Sequence, residues 1–123
     1  MKCHRCNVCY EYGCNYPDCL ARYRGETSKN FYSRNLGHVY KYEKKDKSSW
    51  MYNHQVQAHD GAPADFAVKI LSSHKDALSR QTAESVWIAK AQDEFGEDNV
   101  LNSRSEFHQP SITRLQTRIR HGL

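Results

Sequence analysis

The stretch VCYEYGCNYPDCLARYRGET, residues 8–27, decides how the rest of the chain is read. "VCYEY" (8–12) is short and aromatic and stops at Gly13, which is the signature of a strand. "CNYPDC" (14–19) holds Pro17 and Asp18 and reads as a turn. "LARYRGE" (20–26) suits a return strand. The expected product is a hairpin with Cys14 and Cys19 on either side of its tip.

Working outward, Thr27 or Ser28 caps a helix running to about residue 42. Phe31, Leu36, Val39 and Tyr40 give it apolar contacts, while Gly37 costs that helix about 1 kcal/mol. "SSWMYNHQVQAH" (48–59) begins with another cap and reads as a second, shorter helix, and "GAP" (61–63) breaks the chain. "DFAVKIL" (65–71) alternates Phe66, Val68 and Ile70 with polar or small residues, the pattern of a strand with one buried face. The strongest helix pattern is "HKDALSRQTAESVWIAKAQDEF" (74–95), ended by Gly96. Its expected apolar side is Ala77, Leu78, Ala83, Val86, Trp87, Ala89 and Ala91. The order β-β-α-α-β-α gives a small α+β layer over residues 1–102, followed by a basic tail, 103–123.

The chain has 123 residues, one domain's worth, and 38% of them are hydrophobic, enough for a small core. No apolar run approaches the roughly 18 residues a membrane span needs. The start, "MKCHRCNVC", has no apolar signal-peptide core, so the expected location is intracellular, nuclear in a eukaryote. Charge is uneven. Residues 22–47 hold eight Lys/Arg against three acids, residues 48–100 hold four against eight, and the tail holds four Arg against one acid. Two basic segments around an acidic middle suit a phosphate-backbone partner such as DNA, and suit solvated surface charge equally well.

All five cysteines precede residue 20, an odd count that does not fit a disulfide framework. In a reducing compartment, clustered Cys with His downstream points to zinc. Cys14 and Cys19 are spaced C-x4-C across the hairpin tip, and His54 and His59 are spaced H-x4-H on the second helix. Two thiols and two imidazoles are the ligand set of a tetrahedral structural zinc site. Cys3, Cys6 and Cys9 form a C-x2-C-x2-C run that could supply ligands instead, or hold a second metal.

Three further groups stand out. Arg34 and His38, at i and i+4, share a helix face and make a poor stabilising pair but a good one for gripping phosphate and handling a proton. Arg80 and Glu84 repeat that spacing, either as a surface ion pair or with Glu84 as a carboxylate ligand for Mg²⁺. Tyr10 and Tyr23 sit on the two hairpin strands, where half-buried strand aromatics are the plain reading.

Taken in order, these pieces resemble a GIY-YIG nuclease domain over residues 8–102. Tyr23-Arg24-Gly25 followed by Glu26-Thr27 matches the second motif, and Val8-Cys9-Tyr10 keeps only the tyrosine of the first. Arg34 falls at the family's helix arginine, His38 completes R-x3-H, Glu84 falls at the metal ligand and Asn102 at the later asparagine. Cys14, Cys19, His54, His59, the "GET" and the R-x3-E are closest to the zinc-containing endonuclease domain of Penelope-like retroelements. No single motif is specific; the ordered set is.

The resemblance implies a three-stranded mixed sheet with flanking helices, a zinc-stapled hairpin and a metal-dependent DNA endonuclease of mobile-element origin. It implies Tyr10, Tyr23, Arg34, His38, Glu84 and Asn102 as catalytic residues, with Arg24, Lys29 and Arg80 toward substrate. Zn²⁺ would be structural, and Mg²⁺ or Mn²⁺ on Glu84 catalytic. The departures are Val8, Cys9 and above all Arg24, a charge where the family usually buries an Ile. The alternatives are a catalytically inactive, zinc-stabilised nucleic-acid-binding module and a protein-binding zinc module.

Overall fold

A computed structural model describes residues 5–63 and 65–102. The expected tail, 103–123, and Cys3 lie outside the described residues. In chain order the elements are β1 (Val8–Cys14), β2 (Arg22–Thr27), α1 (Phe31–Glu43), α2 (Trp50–His59), β3 (Phe66–Ser73) and α3 (Ala77–Phe95), then a 3-10 turn, Glu97–Asn99. Among the described residues no helix is long and apolar enough to cross a membrane.

The sheet order is β2-β1-β3, and β1 is antiparallel to both neighbours. The sheet is therefore antiparallel, not mixed as expected. β2 and β3 do run the same way, but β1 lies between them. Among the described residues a parallel pairing occurs only as an isolated bridge, Arg22 with Val100, on the outer edge of β2.

Side chains on a strand alternate between faces, so the sheet sorts them into two layers. Tyr10, Tyr12 and Tyr23 point to one face, where they form the core with Phe31, Trp50 and Met51. Tyr12 Oη donates to Asn35 Oδ1 at 2.6 Å, pinning α1 to the middle strand. Phe66, Val68 and Ile70 of β3 pack against this core.

The opposite face meets α3 and is ionic. Glu11 and Arg24 are cross-strand partners, 5% exposed each, with Arg24 Nη2 2.6 Å from Glu11 Oε2. Arg24 Nη1 also donates to the Trp87 carbonyl of α3 at 2.7 Å. Arg80 Nε meets Glu26 Oε1 at 2.5 Å. This layer overturns part of the expected apolar side of α3, of which Ala91 is buried. Its buried residues are Arg80, Glu84, Ile88 and Ala91, while Leu78 and Val86 face outward. The sheet offers carboxylates here, so the helix turns its arginine toward them.

The cap of α1 also differs from expectation. Helix α1 is capped by Asn30, whose side chain accepts from Ser33 N, because Thr27 is still in the ladder opposite Val8. Helix α2 is capped by Ser49, accepting from Tyr52 N, and α3 by Asp76, accepting from Ser79 N.

A buried ion pair broken on one side leaves a costly lone charge, whereas replacing both partners can be neutral. Glu11→Ala is expected to cost about 3–5 kcal/mol. Glu11→Leu with Arg24→Met is expected to recover most of that. Denaturant titration of the three proteins checks it, and equal losses in single and double variants would contradict it.

Candidate functional site

Two features lie on the tyrosine face. The first is the group Cys14, Cys19, His54 and His59, whose ligand atoms all lie within 4.8 Å of one another and could hold a metal ion. Cys14 closes β1, Cys19 follows the Tyr16–Asp18 turn, and both histidines come from α2. Cys14 Sγ is 3.5 Å from His59 Nε2, Cys19 Sγ 3.4 Å from His54 Nε2, and the two Nε2 atoms are 3.1 Å apart. Tetrahedral zinc with ordinary bond lengths puts S and N about 3.6 Å apart and two N about 3.3 Å apart. The group is thus consistent with a structural zinc. Burial, then His59, lowers the pKa of His54, which keeps it in the neutral form a metal takes.

Cys9 is elsewhere. Its thiol is fully buried on the α3 face, contacts the Arg80 carbonyl at 3.6 Å and is pushed up to about 11, mainly by burial. It is a core residue there and not a fifth ligand. Cys6 is exposed.

The second feature is a cleft of about 380 Å³ between α1, the start of α2 and the edge of β2. Tyr23, Lys29, Arg34, His38 and Glu84 all line it. A larger groove of about 1250 Å³ adjoins it through Lys41, Ser48 and Trp50, but borders the Cys/His group and not Arg34 or Glu84. The smaller cleft is the one with convergent chemistry. Gly37 also lines it, and a Cβ there would meet nothing within 4 Å. The glycine that weakens α1 leaves open floor between Arg34 and His38.

Tyr10 lies beneath this cleft and is fully buried. Its Oη accepts from Arg34 Nε at 3.2 Å and is 3.2 Å from His38 Nε2. Room for that hydroxyl comes from its register partner Gly25, where a Cβ would stand 2.5 Å from Tyr10 Oη. Gly25 is therefore a packing requirement of Tyr10. Arg34 is raised above its ordinary value: burial pulls it down, but the Tyr10 oxygen, then Tyr23 and Glu26, more than offset that. His38 goes the other way, to about 3, through burial first and then the charges of Arg34 and Lys41.

Besides Tyr10, three expected site residues lie outside the cleft lining. Arg24 is held in the ionic layer by Glu11 and Trp87, so it is not placed to touch substrate. Arg80, 5% exposed, binds Glu26, Asn7 and the His74 carbonyl, so it is neither a surface ion-pair partner nor a substrate contact. Asn102 lies along β2, where its amide accepts from Arg24 N at 3.1 Å and donates to Arg24 O at 2.6 Å. It acts as a one-residue extension of the sheet edge, steadying the strand that carries Tyr23 and Gly25. Trp50 is the cleft residue the sequence reading missed: it stacks on Tyr23 at 4.2 Å and 6°, and its indole donates to His38 Nδ1 at 3.2 Å. A tryptophan opening a helix carries no signal beyond ordinary core packing.

Comparison with protein-family models, curated proteins and solved structures found no match for this chain.

The His38 shift has a consequence for stability. Its folded value, about 3, lies below its unfolded value near 6.5, so its neutral burial stabilises the fold above pH 6.5 and loses that contribution as pH falls toward 3. The stability difference between the wild type and His38→Gln should shrink as pH falls from 7.5 to 5.5, by at most about 1.4 kcal/mol per pH unit. Denaturant melts across that range check it, and a pH-independent difference would contradict it.

Proposed function

We propose that the chain is a metal-dependent endonuclease domain that hydrolyses DNA phosphodiester bonds. The observation that carries this is the convergence of Tyr23, Arg34, His38 and Glu84 on one cleft, with the Tyr10 oxygen bound to both Arg34 and His38 beneath it. These residues come from four separate elements, and a merely solvated basic face would not gather them.

In this reading Arg34 grips the scissile phosphate and stabilises the charge that develops on it. Lys29 and Lys41, which also line the cleft, hold the flanking phosphates. When Arg34 leaves Tyr10 for the phosphate, the Tyr10 oxygen, as the phenolate, opens to the cleft and takes the proton of the attacking water, becoming the neutral phenol. The water oxygen bonds to phosphorus and the bond to the leaving sugar oxygen breaks. His38 is not the base, because it is held neutral with both ring nitrogens engaged. Tyr23, stacked on Trp50, forms the cleft wall. Glu84, 3% exposed at the cleft floor, fits a hard divalent cation, which needs few protein ligands because it keeps most of its waters. Such a cation, Mg²⁺ or Mn²⁺, would polarise the phosphoryl oxygen and stabilise the leaving oxyanion. Zinc on the Cys/His group would be structural. A mobile-element origin and a nuclear site of action belong to the same reading and rest on the sequence resemblance.

One observation favours a second reading, an inactive zinc-stabilised nucleic-acid-binding module. Tyr10 is wholly buried, and its motif has lost Gly and Ile to Val8 and Cys9. In that case the basic cleft would bind without cutting.

Nicking of supercoiled plasmid in Mg²⁺ separates the two. The wild type should nick, and Arg34→Ala and Glu84→Gln should each lose about 10²–10³-fold. Cleavage unchanged by both substitutions would remove the site assignment. Salt-dependent DNA binding with no cutting would favour the second reading.

A further inference from the structure

The hydrogen bonds of the cleft have a direction, and Trp50 sets it. An indole nitrogen can only donate. Trp50 Nε1–H points at His38 Nδ1, 3.2 Å away, so Nδ1 must present its lone pair. A neutral imidazole then carries its proton on Nε2, which faces Tyr10 Oη at 3.2 Å. With Arg34 Nε–H also donating to that oxygen, two N–H groups converge on one phenol.

We propose that Trp50 is a positioning residue: its indole N–H locks His38 in the Nε2–H tautomer, so that His38 gives a hydrogen bond to Tyr10 and does not take one. The alternative tautomer would reverse the polarity. Nδ1–H would face the indole N–H, donor against donor, and Nε2 would accept the Tyr10 proton. A tyrosine donating to His38 is a poor acceptor for a proton from water. Two N–H donors, by contrast, both favour a phenolate oxygen.

The surroundings of His38 agree with this. Tyr10 and Tyr12 of β1, Tyr23 of β2 and Trp50 of α2 pack around its ring, and Arg34 and Lys41 of its own helix oppose a second proton. Trp50 itself is fixed from two sides. It lies face to face on Tyr23, and it opens α2 directly after the Ser49 cap. His54 follows one turn later on the same helix face, in the Cys/His group. The metal centre is thereby linked through one helical turn to the protonation pattern of the cleft. This bears on catalysis only through the nuclease reading above, but the tautomer claim stands independently of it.

The test uses the 123-residue chain, loaded with zinc and labelled with ¹⁵N, and reads the His38 ring nitrogens by long-range ¹H–¹⁵N NMR. In the wild type, Nε2 should be protonated and Nδ1 bare. Trp50→Phe keeps the ring stack and removes the donor. It should retain zinc and shift the tautomer ratio about five- to tenfold toward Nδ1–H, the weight of one hydrogen bond. Its nicking rate should fall in kcat with KM little changed. A wild-type His38 protonated on Nδ1, or a Trp50→Phe variant with an unaltered tautomer, overturns the proposal. If Trp50→Phe does not fold, the wild-type spectrum alone decides. If the wild type shows no nicking, the nuclease reading fails while the ring-nitrogen shifts still settle the role of Trp50.

Discussion

The ligand atoms of two thiols and two imidazoles lie within 4.8 Å of one another, three of the pairs at 3.1–3.5 Å, and could hold a metal ion. Thiols and imidazoles this close can hydrogen-bond to one another, and a bound cation would replace those contacts with four metal–ligand bonds. A metal held by Cys14, Cys19, His54 and His59 would be the constraint on which the cleft depends, adding to the core contacts of Trp50 and Met51 that already seat α2. Its buried residues are Trp50, Met51 and His54, one of which belongs to the group itself. A small core of this kind gains from a metal cross-link. Such a cross-link would fix the far end of α2, the Tyr23 stack fixes the near end, and Trp50 meets His38 there.

The sheet divides the molecule into two chemical regimes. On one face six side chains, four of them tyrosine or tryptophan, form the core. On the other face Glu11 and Arg24 pair across the strands and Glu26 pairs with Arg80 of α3. Lys69 and Arg22 add weaker contacts to Glu11, at 3.6 and 3.9 Å. Buried pairs contribute little net stability, yet they punish misalignment because a shifted partner leaves a lone charge. The ionic layer thus fixes the register of α3 against the sheet, and with it the position of Glu84 at the cleft.

Much of the backbone was legible in the sequence because local chemistry dictates it. Aromatic alternation marked β1, the Pro17-Asp18 turn marked the hairpin, and Gly96 marked the end of α3. The metal group was legible as well, since two Cys about a turn and two His a helical turn apart leave few other uses. What failed were judgements about faces. The apolar side expected for α3 included Leu78 and Val86, which point to solvent, because periodicity cannot foresee a helix that buries its charges. Arg24 looked like an intrusion into a buried strand, and its explanation, Glu11 directly opposite, required the register. Tyr10 was expected in the cleft and lies under it, since depth depends on where Arg34 folds back. Trp50 was invisible because an indole among aromatics looks like core until its N–H partner is known.

The most direct test of this account is X-ray absorption at the zinc edge on the purified 123-residue chain. Two sulfur ligands at about 2.3 Å and two nitrogen ligands at about 2.0–2.1 Å are expected, from one zinc per chain. Absence of zinc, or a centre with three or four sulfurs, would contradict it. Extra sulfurs would mean that cysteines outside the Cys14–Cys19 pair hold the metal and that α2 is not tied down by His54 and His59.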